Sequence, residues 1–219
     1  MTNNEMIDLL GLRLEDPDKK AFSSTARYKA LNIAQMQIVN FIDNQLLTEL
    51  EFSETKTADA SGKIPLTGLT HTPIRNGVYA VYNGNSSVKA FANMIEFKDI
   101  KRLENTYLKP SYTNPIAYIF ANTINIKPSE AHACDVYYLR KPTDINSGAD
   151  CELDESLHQC VCDFAEAQLW KMDGQYQKSA DAMALGSETI SALNTRLGIE
   201  KPQGVGTYGR AVPGPTTGA

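Results

Sequence analysis

The sequence predicts an α+β protein: a long N-terminal helix and a C-terminal helical hairpin packed together, an inserted antiparallel β-rich block between them, and an extended C-terminal tail. Three observations predict it. Helical periodicity runs from Asp154 to Leu197, the longest such stretch in the chain. The apolar period changes from helical to two between about residues 63 and 142. Past residue 198 the composition shifts, and residues 201–219 hold five glycines and three prolines. The parts read as 1–52 (N-terminal helical), 53–142 (inserted β-rich), 143–198 (hairpin) and 199–219 (partner-docking tail).

The opening NNEMIDLLG predicts a two-turn helix with Asn3 or Asn4 as cap, Met6, Leu9 and Leu10 as its apolar face and Gly11 as terminator. Pro17 and flanking charges in EDPDKK make a surface loop. Ser23 or Ser24 then caps a helix of about seven turns, with Leu31, Ala34, Ile38, Ile42, Leu46 and Leu50 along one face and Phe41 broadening it. Asn32, Gln35, Gln37, Asn40, Asn44 and Gln45 cover much of the rest. Amides are easier to desolvate than charges, so this flank is expected to face another protein chain.

SETKTADASG, after Phe52, is polar and aperiodic and reads as a loop to Gly62. Strand signals follow in KIPLTGL and in GVYAVYNG, where Val78, Ala80 and Tyr82 oppose Tyr79 and Val81. Residues 88–108 alternate only in places and give no assignment. IAYIFA places Ile116, Tyr118 and Phe120 on one face, Asn122-Thr123 makes a turn, and Ile124 and Ile126 return until Pro128. ACDVYYLRKP sets Cys134, Val136 and Tyr138 against Asp135, Tyr137 and Leu139, and Pro142 closes it.

In the hairpin, Asp154 caps a helix whose stripe is Leu157, Val161, Phe164 and Gln168, widened by Cys160 and Ala165. Asp173-Gly174 makes the turn. Tyr176, Met183, Ile190 and Leu197 then recur by sevens, with Ala180 and Leu193 near the companion seam, until Gly198 ends the helix and Pro202 forbids a restart. The tail has only Val205, Tyr208 and Val212 as larger apolar side chains. It is read as a peptide laid on a partner, with Tyr208 and Arg210 as anchors.

The bulk numbers limit the function classes. With 21 basic and 26 acidic residues the net charge is −5, so the chain carries no basic footprint for tight nucleic-acid binding. No apolar run approaches the ~20 residues of a membrane span, and MTNNEMIDLL has no basic n-region, so a cytoplasmic product without a membrane role is expected. The four cysteines are Cys134, Cys151, Cys160 and Cys162. A zinc site built from Cys134, Cys151, His158 and Cys162 lacks the CxxC knuckle, and the plainer reading is small, reduced, half-buried residues. His71, His132 and His158 fall in a loop, at a strand edge and on a helix surface, with no GxSxG, HExxH, Walker loop or GxGxxG near them. No catalytic residue, cofactor or metal is expected.

LGLRLEDPDKKAFSSTARYKALNIAQMQIVNFID, a short helix, an Asp-Pro loop, a Ser/Thr cap and a helix carrying Leu31, Asn32, Ala34 and Gln35, resembles the N-terminus of tailed-bacteriophage head-to-tail connector proteins. The Ile-x-Ile-x-Pro strand answered by Val-Tyr-Tyr-Leu-Arg-Lys-Pro between Ile124 and Pro142 resembles their β-block, and the Asp173-Gly174-Gln175 hairpin their closing helices. The types it resembles most are the tail tubular protein A adaptors of short-tailed phages and the ring proteins of crAss-like phages. The resemblance implies a virion protein at the head-tail junction, assembled in the host cytoplasm. About twelve copies would form a ring that binds portal on one side and further tail or ring proteins on the other. DNA would pass through the channel without specific binding. Two other classes compete: a carbohydrate- or receptor-binding tail module working through Tyr79, Tyr82, Tyr118, Tyr137 and Tyr138, and a small hydrolase assembled from His132, Cys134 and Asp135.

Overall fold

A computed structural model describes residues 1–83, 90–104 and 109–200. Helix α1 spans Asn3–Arg13. Thr2, not Asn3 or Asn4, is its cap: Thr2 Oγ1 accepts the Glu5 N–H at 3.3 Å while Glu5 Oε2 accepts the Thr2 N–H at 2.7 Å, a capping box. Asn3 is spent elsewhere, donating from Nδ2 to Asn146 O at 2.8 Å. Gly11 does not end the helix. It lies within it and leaves room for an arginine, since a Cβ there would sit 2.6 Å from Arg27 Nη1.

Helix α2 spans Ser24–Phe41 and is capped by Ser23, whose Oγ accepts the Ala26 N–H at 3.3 Å. It is shorter than the apolar period predicts. Ile42 is extended, and two single 3-10 turns at Asn44–Leu46 and Thr48–Leu50 carry Leu47 and Leu50 into the same core. The stop comes partly from another element. Asn194 Oδ1 accepts the Asp43 N–H at 2.9 Å, and its Nδ2 donates to Phe41 O at 3.1 Å.

Strand β1, Glu51–Thr57, occupies the stretch read as a loop. It pairs antiparallel along its whole length with β8, Ala133–Arg140, and half-buries Phe52, Glu54 and Lys56 on alternate positions. A polar sequence is held as a strand by its partner's edge. One sheet has the order β1-β8-β3-β4, with β3 at Pro73–Asn83 and β4 at Ala90–Phe91. The other runs β2-β7-β6-β5, with β2 at Lys63–Pro65, β5 at Asn93–Met94, β6 at Ile116–Phe120 and β7 at Thr123–Lys127. Val78 and Val81 of β3 are both buried although three residues apart. Strict alternation forbids this, and a register shift between Val78 and Ala80 permits it. The turn between β6 and β7 is Ala121-Asn122, both at positive φ, rather than Asn122-Thr123; Thr123 already pairs with Phe120. The block is antiparallel except where β5 runs parallel to β6, within the stretch that gave no assignment. Facing sides of both sheets meet in one cluster that includes Val81, Val136 and Tyr138 from one and Ile64, Ile124 and Ile126 from the other.

The second cluster joins all four helices. Helix α3, Glu155–Met172, lies in its middle, packed against α1, α2 and α4, so it is buried well beyond the predicted stripe. His158, read as a surface residue, is buried for that reason. Asp154 caps α3, and Gly174 at φ +76° closes the turn, with the Gln175 N–H on Trp170 O at 2.9 Å. Helix α4, Tyr176–Glu200, runs through Gly198 rather than ending there. Its seam is made of small residues followed by one isoleucine. Ser179, Ala182, Gly186 and Ile190 are buried, whereas Tyr176 and Ala180, two of the heptad positions, are exposed. Among the described residues no helix is long and apolar enough to cross a membrane.

Candidate interaction surfaces

The amide row on α2 divides. Asn32 faces inward, its Nδ2 donating to Ile145 O at 3.0 Å and its Oδ1 accepting the Ile145 N–H at 2.7 Å. Gln35 is buried and donates to Thr143 O at 3.0 Å. Gln35 is therefore closed to a partner chain, while Asn32 spends its amide within the chain and stays half-buried at the edge of the shallow depression beside it. Both fasten the segment that leads from β8 to α3, where Arg140 also holds Glu152 at 2.8 Å. The rest of the flank stays outside. Thr25, Tyr28, Ile33, Met36, Gln37 and Asn40 line a shallow depression of about 610 Å³ with Lys141 and Asp144 at its rim. Gln37 Oε1 there has no hydrogen-bond partner. Ile33 is exposed although it sits mid-helix.

A second surface lies between the end of α2 and α4. Phe41, Phe164, Met183 and Ile190 form the apolar floor of an open groove of about 590 Å³, rimmed by Ser187, Ser191, Asn194 and Thr195. Phe41 is 66% exposed, not packed on the α2 core face as its sequence position suggests. The Asn194 bonds described above fix the two walls against each other. Gly186 keeps α4 close to α3, because a Cβ there would lie 2.8 Å from Phe164 Cε2.

The third surface is on the β-block. Phe97 stacks on Phe120 with ring centroids 4.1 Å apart and planes at 15°, yet the two remain 45% and 50% exposed. Phe91 is also exposed and lies 6.0 Å from the Tyr137 ring. The tyrosines proposed as a binding platform behave otherwise. Tyr138 and Tyr118 are buried and Tyr137 half-buried, while the side chains of Tyr79 and Tyr82, like Tyr208 and Arg210 of the tail, lie outside the described residues.

The polar clusters of the interior read as structural. Glu54 accepts from Tyr138 Oη at 2.6 Å, from the Thr70 N–H at 2.8 Å and from Lys56 Nζ at 2.8 Å. Burial pushes the Glu54 carboxyl up, but those hydrogen bonds outweigh it and bring it down to about 2, while burial and Glu54 push Tyr138 up to about 12. Neither group is poised for proton transfer near neutral pH. Of the residues considered for a hydrolase, Cys134 is buried with its thiol raised to about 12 by burial, and His132 bonds Glu130 O at 2.9 Å. Asp135 meets Thr55 Oγ1 instead of either. Cys134 belongs to the β-block cluster and Cys151 and Cys162 to the helical one, and among the described residues no group of three His, Cys, Asp or Glu could hold a metal ion. An acidic depression of about 530 Å³ between α1 and α3 is lined by Glu5, Glu49, Asp150, Glu152, Asp154 and Glu155. His158 at its base is fully engaged, with Nδ1 at 2.8 Å from the Met1 amino group and Nε2 at 2.8 Å from Leu153 O. No protein-family model and no curated protein matches the chain.

Proposed function

We propose that this chain is a structural protein of a phage head-tail connector. Copies of it form a ring between portal and tail that extends the DNA channel. The observation that carries the reading is the order of parts: a capped short helix, an Asp-Pro loop, a second capped helix, an inserted β-block and a closing hairpin. This is the arrangement the connector resemblance implies, and the chemistry of the surfaces supports it. A heterologous ring needs two different patches on each subunit, and the α2 flank with Ile33 and the aromatic tip of the β-block are two such patches. A net charge of −5 suits a channel through which DNA slides without sticking.

The test is the mass of the purified protein, alone and mixed with portal from the same virus. A closed ring, or a monomer that becomes a many-subunit complex with portal, supports the reading. A monomer or trimer indifferent to portal overturns it. The exposed Phe97–Phe120 pair favours a receptor-binding tail module as the second reading. That reading predicts the indifferent monomer or trimer, together with loss of receptor or glycan binding in Phe120→Ala.

A further inference from the structure

We infer that the groove floored by Phe41, Phe164, Met183 and Ile190 is the docking site of the segment 204–212 of the same chain, folded back along α4. This goes beyond the connector reading and does not depend on it. The groove begins just upstream of the point where the chain leaves α4 at Glu200. At about 1.5 Å per residue, Thr195, Ile190 and Met183 lie about 7, 15 and 26 Å back along the helix from Glu200. Pro202 cannot continue the helix, so residues 201–203 are the natural reversal. An extended chain then gains about 3.3 Å per residue, which sets Val205, Tyr208 and Val212 about 7, 17 and 30 Å back. The larger apolar side chains of the tail thus come level, in order, with Thr195, Ile190 and Met183.

The chemistry matches as well as the reach. The apolar floor takes Tyr208 and Val212, and the neutral rim of Ser187, Ser191 and Asn194 offers donors and acceptors to an extended backbone. The segment 201–219 carries Lys201 and Arg210 with no acid, against 19 basic and 26 acidic residues in the rest of the chain. A tether this short holds the segment near the groove at millimolar effective concentration, which favours the chain's own tail over a neighbour's.

The test replaces Tyr208 with the photo-crosslinking residue p-benzoylphenylalanine in the full-length chain, in an equal mixture of isotope-labelled and unlabelled protein. Crosslinks within single chains, mapping to Met183–Ile190 or Phe41, are expected. Phe41→Asp, at an exposed position, is expected to cut their yield roughly fivefold with no change in thermal midpoint. Crosslinks only between chains, crosslinks to other elements, or an unchanged yield in Phe41→Asp would each overturn the assignment.

Discussion

A single carboxylate, Asp16, organises the bend between α1 and α2. It accepts the N–H groups of Lys20, Ala21 and Phe22 and the Nη2 of Arg27 at 2.7, 3.2, 2.9 and 3.0 Å. The Phe22 N–H does most to hold its carboxyl down to about 2; burial opposes it, and Ala21, Lys20 and Arg27 add to it. Arg27 is fully buried beneath Gly11 and donates also to Ile7 O at 3.2 Å. Arg27→Ala should lower stability, because it leaves a void beneath Gly11 where a fully buried side chain stood and removes the donor to Ile7 O and to Asp16; a lowered urea midpoint at neutral pH measures it. Asp16 and Glu54 both lie at about 2 in the fold, against ordinary values of 3.8 and 4.5. The unfolded chain therefore binds more protons between those values, so their contribution is present above about pH 4.5 and is lost as pH falls through about 2. Glu54→Gln should flatten the loss of stability between pH 5 and 2, read from urea midpoints across that range. The four thiols follow the same logic in reverse: burial foremost raises Cys134, Cys160 and Cys162 to about 12 and Cys151 to about 11. At pH 8 a thiol reagent should find none of the four in the folded protein and all of them in urea.

Among the elements, α4 shows best how composition becomes packing. Ser179 Oγ donates to Ala167 O at 2.7 Å and Cys160 Sγ to Gly186 O at 3.3 Å, contacts that only small residues allow between two helices. Gly186→Leu should separate α3 from α4 and cost about 1–3 kcal/mol, seen as a lowered urea midpoint. Ile190→Asp buries an unpaired carboxylate and should cost about 3 kcal/mol or more, abolishing the hairpin or the proposed ring assembly. A variant with unchanged thermal stability and unchanged assembly would remove Ile190 from the seam. The heptad reading located Met183 and Ile190 correctly but placed Tyr176 and Ala180 in the seam. The small residues that do the packing carry no hydrophobic signal, so the period misses them. Strand β1 escaped for a related reason. Its alternation is of hydroxyls and charges, and it becomes visible only when β8 lies beside it.

At the scale of the whole molecule, deleting Lys201–Ala219 should leave the fold of the preceding residues intact, since the segment offers only Val205, Tyr208 and Val212 as larger apolar side chains. Unchanged far-ultraviolet circular dichroism is the expected result. Co-sedimentation with portal separates two placements of the tail: unchanged, it fits a tail held in the chain's own groove, and reduced, it fits a tail laid on portal. The architecture was legible in the sequence because it rests on local properties. Helix periods, the Ser23 and Asp154 caps, Gly174 in its turn and the alternation of Cys134, Val136 and Tyr138 each act within a few residues. The surfaces were not legible in the same way. Where α2 stops depends on Asn194, more than 150 positions away, and the inward turn of Asn32 and Gln35 depends on the 143–145 segment. The exposure of Phe41, Phe97 and Phe120 depends on what does not cover them. Sequence alone determined the α+β order of helices, inserted strands and hairpin, because propensity and period are carried by neighbouring residues. Tertiary structure alone decided which amides are spent inside and which apolar side chains are left exposed among the described residues, because burial belongs to the assembled core.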